Sequence, residues 1–424
     1  MSRSRPWLLA CLSIPALSVP AFAAEALLDS GDTAWMLIST ALVLLMLPGL
    51  ALFYAGMVRA KNVLSTCMHT FSALAIVGVQ WVVLGYSLAF GGSGPLLGNL
   101  EHLLLLDIGP DALTGTFPTL VFVMFQGMFA IIAAALISGA AAERIRFSAW
   151  CLFILLWSIL VYNPIAHWVW GKGGWLLEMG ALDFAGGTVV HLSSGVSALV
   201  LALFLGRRRG YPQERMAPHN LPMTLLGAGL LWFGWFGFNA GSALAAGGHA
   251  ALAFANTQAA AAAGALGWMA IEWLRAGRPS ALGAASGVIS GLVVITPAAG
   301  FVVPAAALAM GLLAGLVGYG GVMLKHRLGY DDSLDAFGIH GLGGAFGAVA
   351  TGLFVSVGAT GVLHGNFYQL WVQAIGVLAA GAYAAAVTAL ILLLLRLTVG
   401  LRVRREDEIS GLDQTAHSES GYNF

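Results

Sequence analysis

Charge is scarce in this chain. Of its 424 residues only 9% are Asp, Glu, Lys or Arg, whereas soluble domains carry about 25%. So few charges cannot cover a solvated surface, which excludes a soluble globular protein. The 19 basic and 19 acidic residues cancel, so there is no bulk attraction for nucleic acid. Cysteine is almost absent, with only Cys11, Cys67 and Cys151, none of them in a CxxC motif. The last two fall inside apolar runs, so neither a disulfide framework nor a zinc site is expected. There is no HExxH, and no Cys or Glu neighbours the histidines discussed below as a further metal ligand.

What remains is apolar and small. The chain is 59% hydrophobic and holds 56 glycines. Long apolar runs recur throughout, and a helix needs about 20 such residues to cross a bilayer. Small residues let neighbouring helices approach closely inside it. The expected class is an all-α polytopic membrane protein.

Residues 1–23 read as a secretory signal peptide: Arg3 and Arg5 precede an apolar stretch over 7–19, and Ala21-Phe22-Ala23 is a small-x-small cleavage site. Eleven apolar segments follow, at 32–57, 64–90, 117–139, 147–166, 184–205, 220–243, 251–274, 281–297, 301–323, 336–356 and 368–395. Arg59 and Lys61 follow the first, Arg144 and Arg146 the third, Arg207, Arg208, Arg209 and Arg215 the fifth. Arg275 and Arg278 follow the seventh, Lys325 and Arg327 the ninth, and Arg396, Arg402, Arg404 and Arg405 the eleventh. The alternate connections lack Lys and Arg except for Lys172. By the positive-inside rule the N-terminus lies outside and the C-terminus in the cytoplasm. The transporter domain spans 24–400 and a cytoplasmic tail 401–424. The outer connection at 91–116 carries Glu101, Asp107 and Asp111, and the one at 164–183 carries Trp168, Trp170 and Trp175. The tryptophans suit an interfacial belt; an acidic, aromatic outer face also suits a cationic substrate.

Two stretches pair an acid with a histidine eight residues later: Asp183 with His191, and Asp332 with His340. Ionisable groups at membrane depth are costly and mark functional sites. Each histidine lies on the last span of a five-span unit. Phe53-Tyr54-Ala55-Gly56 in the first span is echoed by Phe238-Asn239-Ala240-Gly241 in the sixth. Five is odd, so consecutive copies, about 32–205 and 220–356, insert with opposite topology. The expected architecture is an inverted five-helix repeat plus an eleventh helix, with the site near the midplane. Two facing neutral imidazoles share one proton and leave one donor and one acceptor along a path, which suits a small polar molecule; the alternative is that both merely pack helices. Asp183 caps the following helix N-terminus or coordinates a cation, and Asp332 and Asp335 carry the same two readings. Phe125 and Phe129, one helical turn apart, and Trp235, Phe238 and Ser242 on the sixth span are candidates for a cation–π site with one hydroxyl.

The stretches AERIRFSAW (142–150), PIAHWVWG (164–171), GALDFAGGTVVH (180–191), WFGFNAGSA (235–243) and FGIHGLGG (337–344) resemble the ammonium transporter family, and the tail resembles its bacterial branch. The resemblance, not the composition, supplies the substrate. It implies an outer ammonium-recruiting site of Trp170, Phe125 and Ser242 with Tyr162 and Trp235 nearby. It further implies a gate of Phe129 and Phe238, a pore lined by His191 and His340, and a supporting acid at Asp183. It implies a homotrimer with one pore per subunit in the inner membrane, without a cofactor. A PII-type regulatory protein would dock on the cytoplasmic face, where Arg144, Arg146 and the tail lie. Rival readings are a Rhesus-type ammonia or carbon dioxide channel and an ammonium sensor. An intramembrane enzyme lacks a placed nucleophile, since Ser193 and Ser194 merely follow His191.

Overall fold

The computed structural model describes residues 27–422; the expected signal peptide lies outside the described residues. Among the described residues, eleven helical segments form the body. α1 is Ser30–Met57, α2 Ala60–Phe90 and α3 Thr119–Ala141. α4 starts as Phe147–Trp157 and continues through a π-helical turn, Ser158–Tyr162, into Asn163–Trp170. α5 is Gly187–Leu205 and α6 Leu221–Gly241. α7 is Gly248–Ala276 and α8 Ala281–Ile295. α9 is Pro304–Leu328, α10 Phe337–Phe354 and α11 Phe367–Thr398. Two short helices, α12 (Arg405–Ser410) and α13 (Leu412–His417), form the tail. A two-residue β-hairpin, Leu113–Thr114 with Phe117–Pro118, leads into α3. The eleven segments match the sequence reading within a few residues. α7 is the least obvious because alanine, asparagine and threonine dilute its hydropathy.

Two helix crossings join the first half of the chain to the second. α1 packs chiefly against α6, and α5 crosses α10. Glycine makes both crossings possible. A Cβ on Gly227 of α6 would sit 2.3 Å from the Phe53 amide nitrogen on α1. A Cβ on Gly195 of α5 would lie 2.1 Å from the amide nitrogen of Gly341 on α10. In a bilayer, where apolar burial does not draw helices together, such backbone approach supplies the packing attraction. α11 lies outside this frame and touches α10, α5 and α4.

Polar side chains fasten α11 in place. Gln373 Nε2 donates to the Leu182 carbonyl at 2.7 Å and to the Ala348 carbonyl at 2.9 Å. Its Oε1 accepts from the Leu182 amide at 2.7 Å. Thr388 Oγ1 donates to Ser197 Oγ at 2.8 Å.

The face bearing the tail is held by buried ion pairs. Glu143 pairs with Arg59 at 2.8 Å and with Arg208 at 3.3 Å, and Arg208 also holds Asp331 at 2.9 Å. Burial raises the pKa of each acid, but the facing guanidiniums outweigh it and hold Glu143 and Asp331 below their ordinary range. Arg144 is fully buried. Its guanidinium donates to the carbonyls of Gly206 (2.9 Å) and Asp331 (2.5 Å) and to Ser333 Oγ (2.5 Å). Arg144 therefore ties connecting loops together and is removed from any docking face; Arg146 remains exposed.

The tail lies flat across these loops. Glu408, buried, accepts from Arg402 at 2.8 Å and from the Arg209 amide at 2.7 Å. The Leu412 amide donates to Asn62 Oδ1, and Asp413 Oδ1 accepts from the Ser65 amide, both at 2.8 Å.

Candidate functional site

Local helix geometry places the histidines. His191 lies in a π-helical turn, Gly187–Leu192, at the start of α5, and His340 in another, Phe337–Gly341, at the start of α10. A π turn inserts one extra residue and re-aims the side chains around it, and such turns gather at functional sites. The two turns meet at the crossing. His191 Nδ1 lies 3.3 Å from His340 Nδ1, with ring centroids 5.3 Å apart and planes 20° from parallel. Both rings are buried. With one proton between the facing nitrogens, one ring donates and the other accepts.

A file of aromatic rings leads away from the pair. The Trp235 indole stacks on the His191 ring at 5.4 Å and 21°. Its Nε1 donates to Thr296 Oγ1 at 2.9 Å, which fixes the indole plane. Phe238 follows at 6.0 Å from His191. Phe238 and Phe129 then stack face to face at 4.1 Å and 16°. Phe129 meets Phe125 at 4.9 Å and Trp170 at 6.0 Å, both edge-on.

Beyond Phe129 lies a cavity of about 410 Å³ on the face opposite the tail, lined by Trp170, Phe122, Gln126, Asp183, Phe184 and Ser242 among others. On the far side of the stack a second space of about 10 Å³ is walled by His191, His340, Trp235, Phe238 and aliphatic side chains such as Leu50, Leu231 and Ile289. The stacked phenyl rings thus separate a vestibule from a narrow apolar lumen.

Asp183 acts on its own backbone. Its Oδ1 accepts from the amides of Gly186 (2.8 Å) and Gly187 (2.6 Å), and Oδ2 from those of Thr188 (2.8 Å) and Val189 (3.1 Å). All four are unpaired donors at the start of α5, so the carboxylate is consumed as a cap. Gly186 supplies the left-handed turn this needs, at φ 108. Asp332 plays a related part before α10, accepting from the Phe337 amide at 2.8 Å. Burial, with Asp335 adding to it, pushes its carboxyl up to about 6 against the pull of Lys325. Asp335 is ion-paired with Lys325. Neither acid reaches the histidines' lumen.

Several sequence expectations divide here. Trp170 and Ser242 line the vestibule, whereas Phe125, Tyr162 and Trp235 do not. Phe125 is fully buried behind Phe129. Tyr162 packs between Trp81 and Trp157, and Trp235 belongs to the lumen. Trp168 is buried, and its Nε1 donates to the Leu96 carbonyl at 2.8 Å. Glu101 and Asp107 hold their own loop, accepting from the Gly92 amide at 2.8 Å and contacting His102 Nδ1 at 2.6 Å. Neither they nor Asp111 lines the vestibule. Lys172 is exposed and also stands outside that lining.

Gln126 was not singled out by sequence. It lines the vestibule with its Oε1 buried and unpartnered; its position next to Phe125, one turn before Phe129, was the available signal. No cluster of three or more His, Cys, Asp or Glu among the described residues could hold a metal ion.

A profile of the family described as "Ammonium Transporter Family" matches residues 34–422. The chain belongs to the ammonium transporter family. It is 51% identical to the ammonium transporter of Bacillus subtilis over 403 residues, covering 93% of this chain and 99% of that protein. It is likewise 51% identical to that of Aquifex aeolicus, covering 95% and 96%. Among solved structures, Candida albicans Mep2 superposes with a TM-score of 0.85 at 37% identity over 90% of this chain and 88% of that one. A structure titled "Sensor Amt Protein" gives 0.86 at 30% identity over 91% and 98%. The protein is thus a multi-pass membrane transporter of ammonium or ammonia rather than an enzyme. Its histidine pair corresponds to the twin-histidine motif of the family's conduction pathway.

Proposed function

We propose that the vestibule recruits the ammonium ion, that the ion is deprotonated at the Phe129–Phe238 gate, and that ammonia crosses the lumen past His191 and His340 while the proton transfers separately. The observation that carries this reading is the placement of the stacked rings between the vestibule and the histidine-lined lumen. In the vestibule, Trp170 offers an aromatic face to a cation, with Phe129 edge-on beside it. Ser242 donates its hydroxyl hydrogen to the Phe238 carbonyl at 2.8 Å, so the lone pairs of Oγ are left to accept from the ion. Phe125, buried behind Phe129, and Tyr162, packed between Trp81 and Trp157, support this site from the second row. The Asp183 cap shapes it.

The lumen is too narrow and apolar for a hydrated ion. Moving an unpaired ion into such surroundings costs tens of kcal/mol by Born solvation, against a few for a neutral polar molecule. Leaving the proton behind removes most of that cost, and the paired imidazoles then offer ammonia a donor and an acceptor. Whether charge crosses with the ammonia is read directly as current. Proteoliposomes are expected to carry ammonium-dependent current, and His191→Ala to abolish methylammonium uptake. Uptake without current sinks the separate proton transfer, and normal uptake by His191→Ala sinks the pore assignment.

The same reading places the chain in the inner membrane as a homotrimer of inverted repeats, with the vestibule outside and the tail in the cytoplasm. The tail face, with Arg146, Arg404, Arg405 and Ile409 exposed, is where a PII-type regulator would dock. Co-purification of a PII protein with the wild type, lost when residues 402–424 are removed, tests the docking face.

A further inference from the structure

His249 lines the same vestibule as Trp170, Ser242 and Gln126, yet the pathway above gives it no part. It is the second residue of α7. Its Nε2 lies 2.7 Å from the Gly300 carbonyl oxygen, and its ring is tilted against Phe184 at 5.3 Å. A carbonyl oxygen only accepts, so Nε2 carries the hydrogen, and in the neutral ring Nδ1 is then a bare lone pair. No hydrogen bond or ion pair reaches Nδ1 among the described residues. The backbone therefore fixes the tautomer that presents an acceptor.

We propose that neutral His249 is a further acceptor for the ammonium ion in the vestibule, and that its protonation converts this acceptor into a repelling cation, weakening capture at acid pH. This rests on the reading of the vestibule as the recruitment site. An ammonium ion has four N–H donors to satisfy as its water is stripped. Ser242 Oγ, Gln126 Oε1 and His249 Nδ1 are acceptors on this cavity that no other group fully uses.

The charged surroundings are simple. The 180–186 segment contributes Asp183, whose carboxylate is taken by four backbone amides. The loop before α7 rests on α1, where Asp32 accepts from the Ala246 amide at 2.7 Å and from Thr116. The segment 297–303, which supplies Gly300 and Phe301, has no titratable side chain. No lysine or arginine among the described residues lines the cavity. A proton on His249 thus introduces the vestibule's one uncompensated positive charge, against the very ion being captured.

The test measures the KM for methylammonium, protonated throughout the range used, in proteoliposomes at external pH 7.5 and 5.5. Losing one hydrogen bond to a charged group corresponds to about tenfold in affinity, so the wild-type KM is expected to rise about tenfold at pH 5.5. His249→Gln keeps a neutral acceptor and should hold a low KM at both pH values. His249→Leu should show a raised, flat KM. A purely structural histidine would give none of this pH step. A wild-type KM that is unchanged between the two pH values, or a step that survives in His249→Gln, overturns the proposal even if His249→Leu fails to fold. Trp170→Leu is measured alongside. If it raises KM while the pH step is missing, only the His249 inference falls; if it leaves KM untouched, the recruitment reading falls first.

Discussion

The Trp170 indole donates a hydrogen bond to the Asp183 carbonyl oxygen at 2.8 Å, so the ring facing the vestibule is held by the residue whose carboxylate caps α5. One acid thereby sets the start of a helix and the orientation of a vestibule-lining ring. Asp183→Asn keeps the size but offers one oxygen instead of two, and turns an NH2 toward two amides. Leaving two buried donors unpaired costs about 1–3 kcal/mol each. The variant is expected to melt well below wild type in detergent and to lose uptake along with its fold. A variant that melts normally and fails only in methylammonium binding would instead make the carboxylate a ligand.

The crossing of α5 and α10 has no room to spare. Gly195→Ala would bring a methyl group to 2.1 Å from the Gly341 nitrogen, and overpacking of this kind costs about 1–3 kcal/mol or more. The helices must separate, taking the imidazoles out of their 3.3 Å contact. Uptake should fall by at least an order of magnitude, whereas Gly381→Ala on α11, where nothing crowds the added carbon, should be silent. Equal activity of the two variants would show the crossing to be looser than described.

Arg208 sits between two buried acids. Removing one partner of a buried ion pair costs about 3–5 kcal/mol, so Arg208→Gln should be among the most destabilising substitutions on the tail face. The pH response has a definite sign. Glu143 and Asp331 are held below their ordinary values of 4.5 and 3.8. Their contribution is complete above those values and is lost as pH falls through the lower folded-state values. Melting curves between pH 7 and pH 3 should show wild type losing stability at the acid end. Arg208→Gln should begin lower and lose less.

Glu408 is the peg of the tail, bridging Arg402 and the Arg209 amide. Glu408→Ala should free α12 and α13 without disturbing the spans. Limited proteolysis should then clip the tail several-fold faster while the melting temperature of the body stays put. Unchanged cleavage would mean that the Asn62 and Asp413 contacts hold the tail unaided.

Much of this molecule was legible in its sequence because a bilayer enforces simple rules. Span lengths, the alternation of Arg and Lys, and the repeated Asp/His spacing were enough to pair His191 with His340. What stayed hidden depends on chain segments meeting from far apart. Arg144 looked like a surface cation because it follows a span, yet loops from 206 and 331–333 close over it. Phe125, Tyr162 and Trp235 were grouped with Trp170 by resemblance, but which ring faces the vestibule depends on helix rotation. Spacing alone does not give that rotation, least of all beside π turns such as Ser158–Tyr162. His249 carries no motif and acquires meaning only from the Gly300 carbonyl opposite it.

Gln373 on α11 binds at once Leu182, which precedes α5, and Ala348 in α10. With the glycine-lined contacts of α1 with α6 and α5 with α10, this clasp ties the first half of the chain to the second. A rocking carrier needs a seam that opens on every cycle, and here that seam is stitched at its centre and strapped from outside. Under the pathway proposed above, the barrier stands while the substrate passes, and chemical crosslinks joining the two halves are expected to leave uptake running.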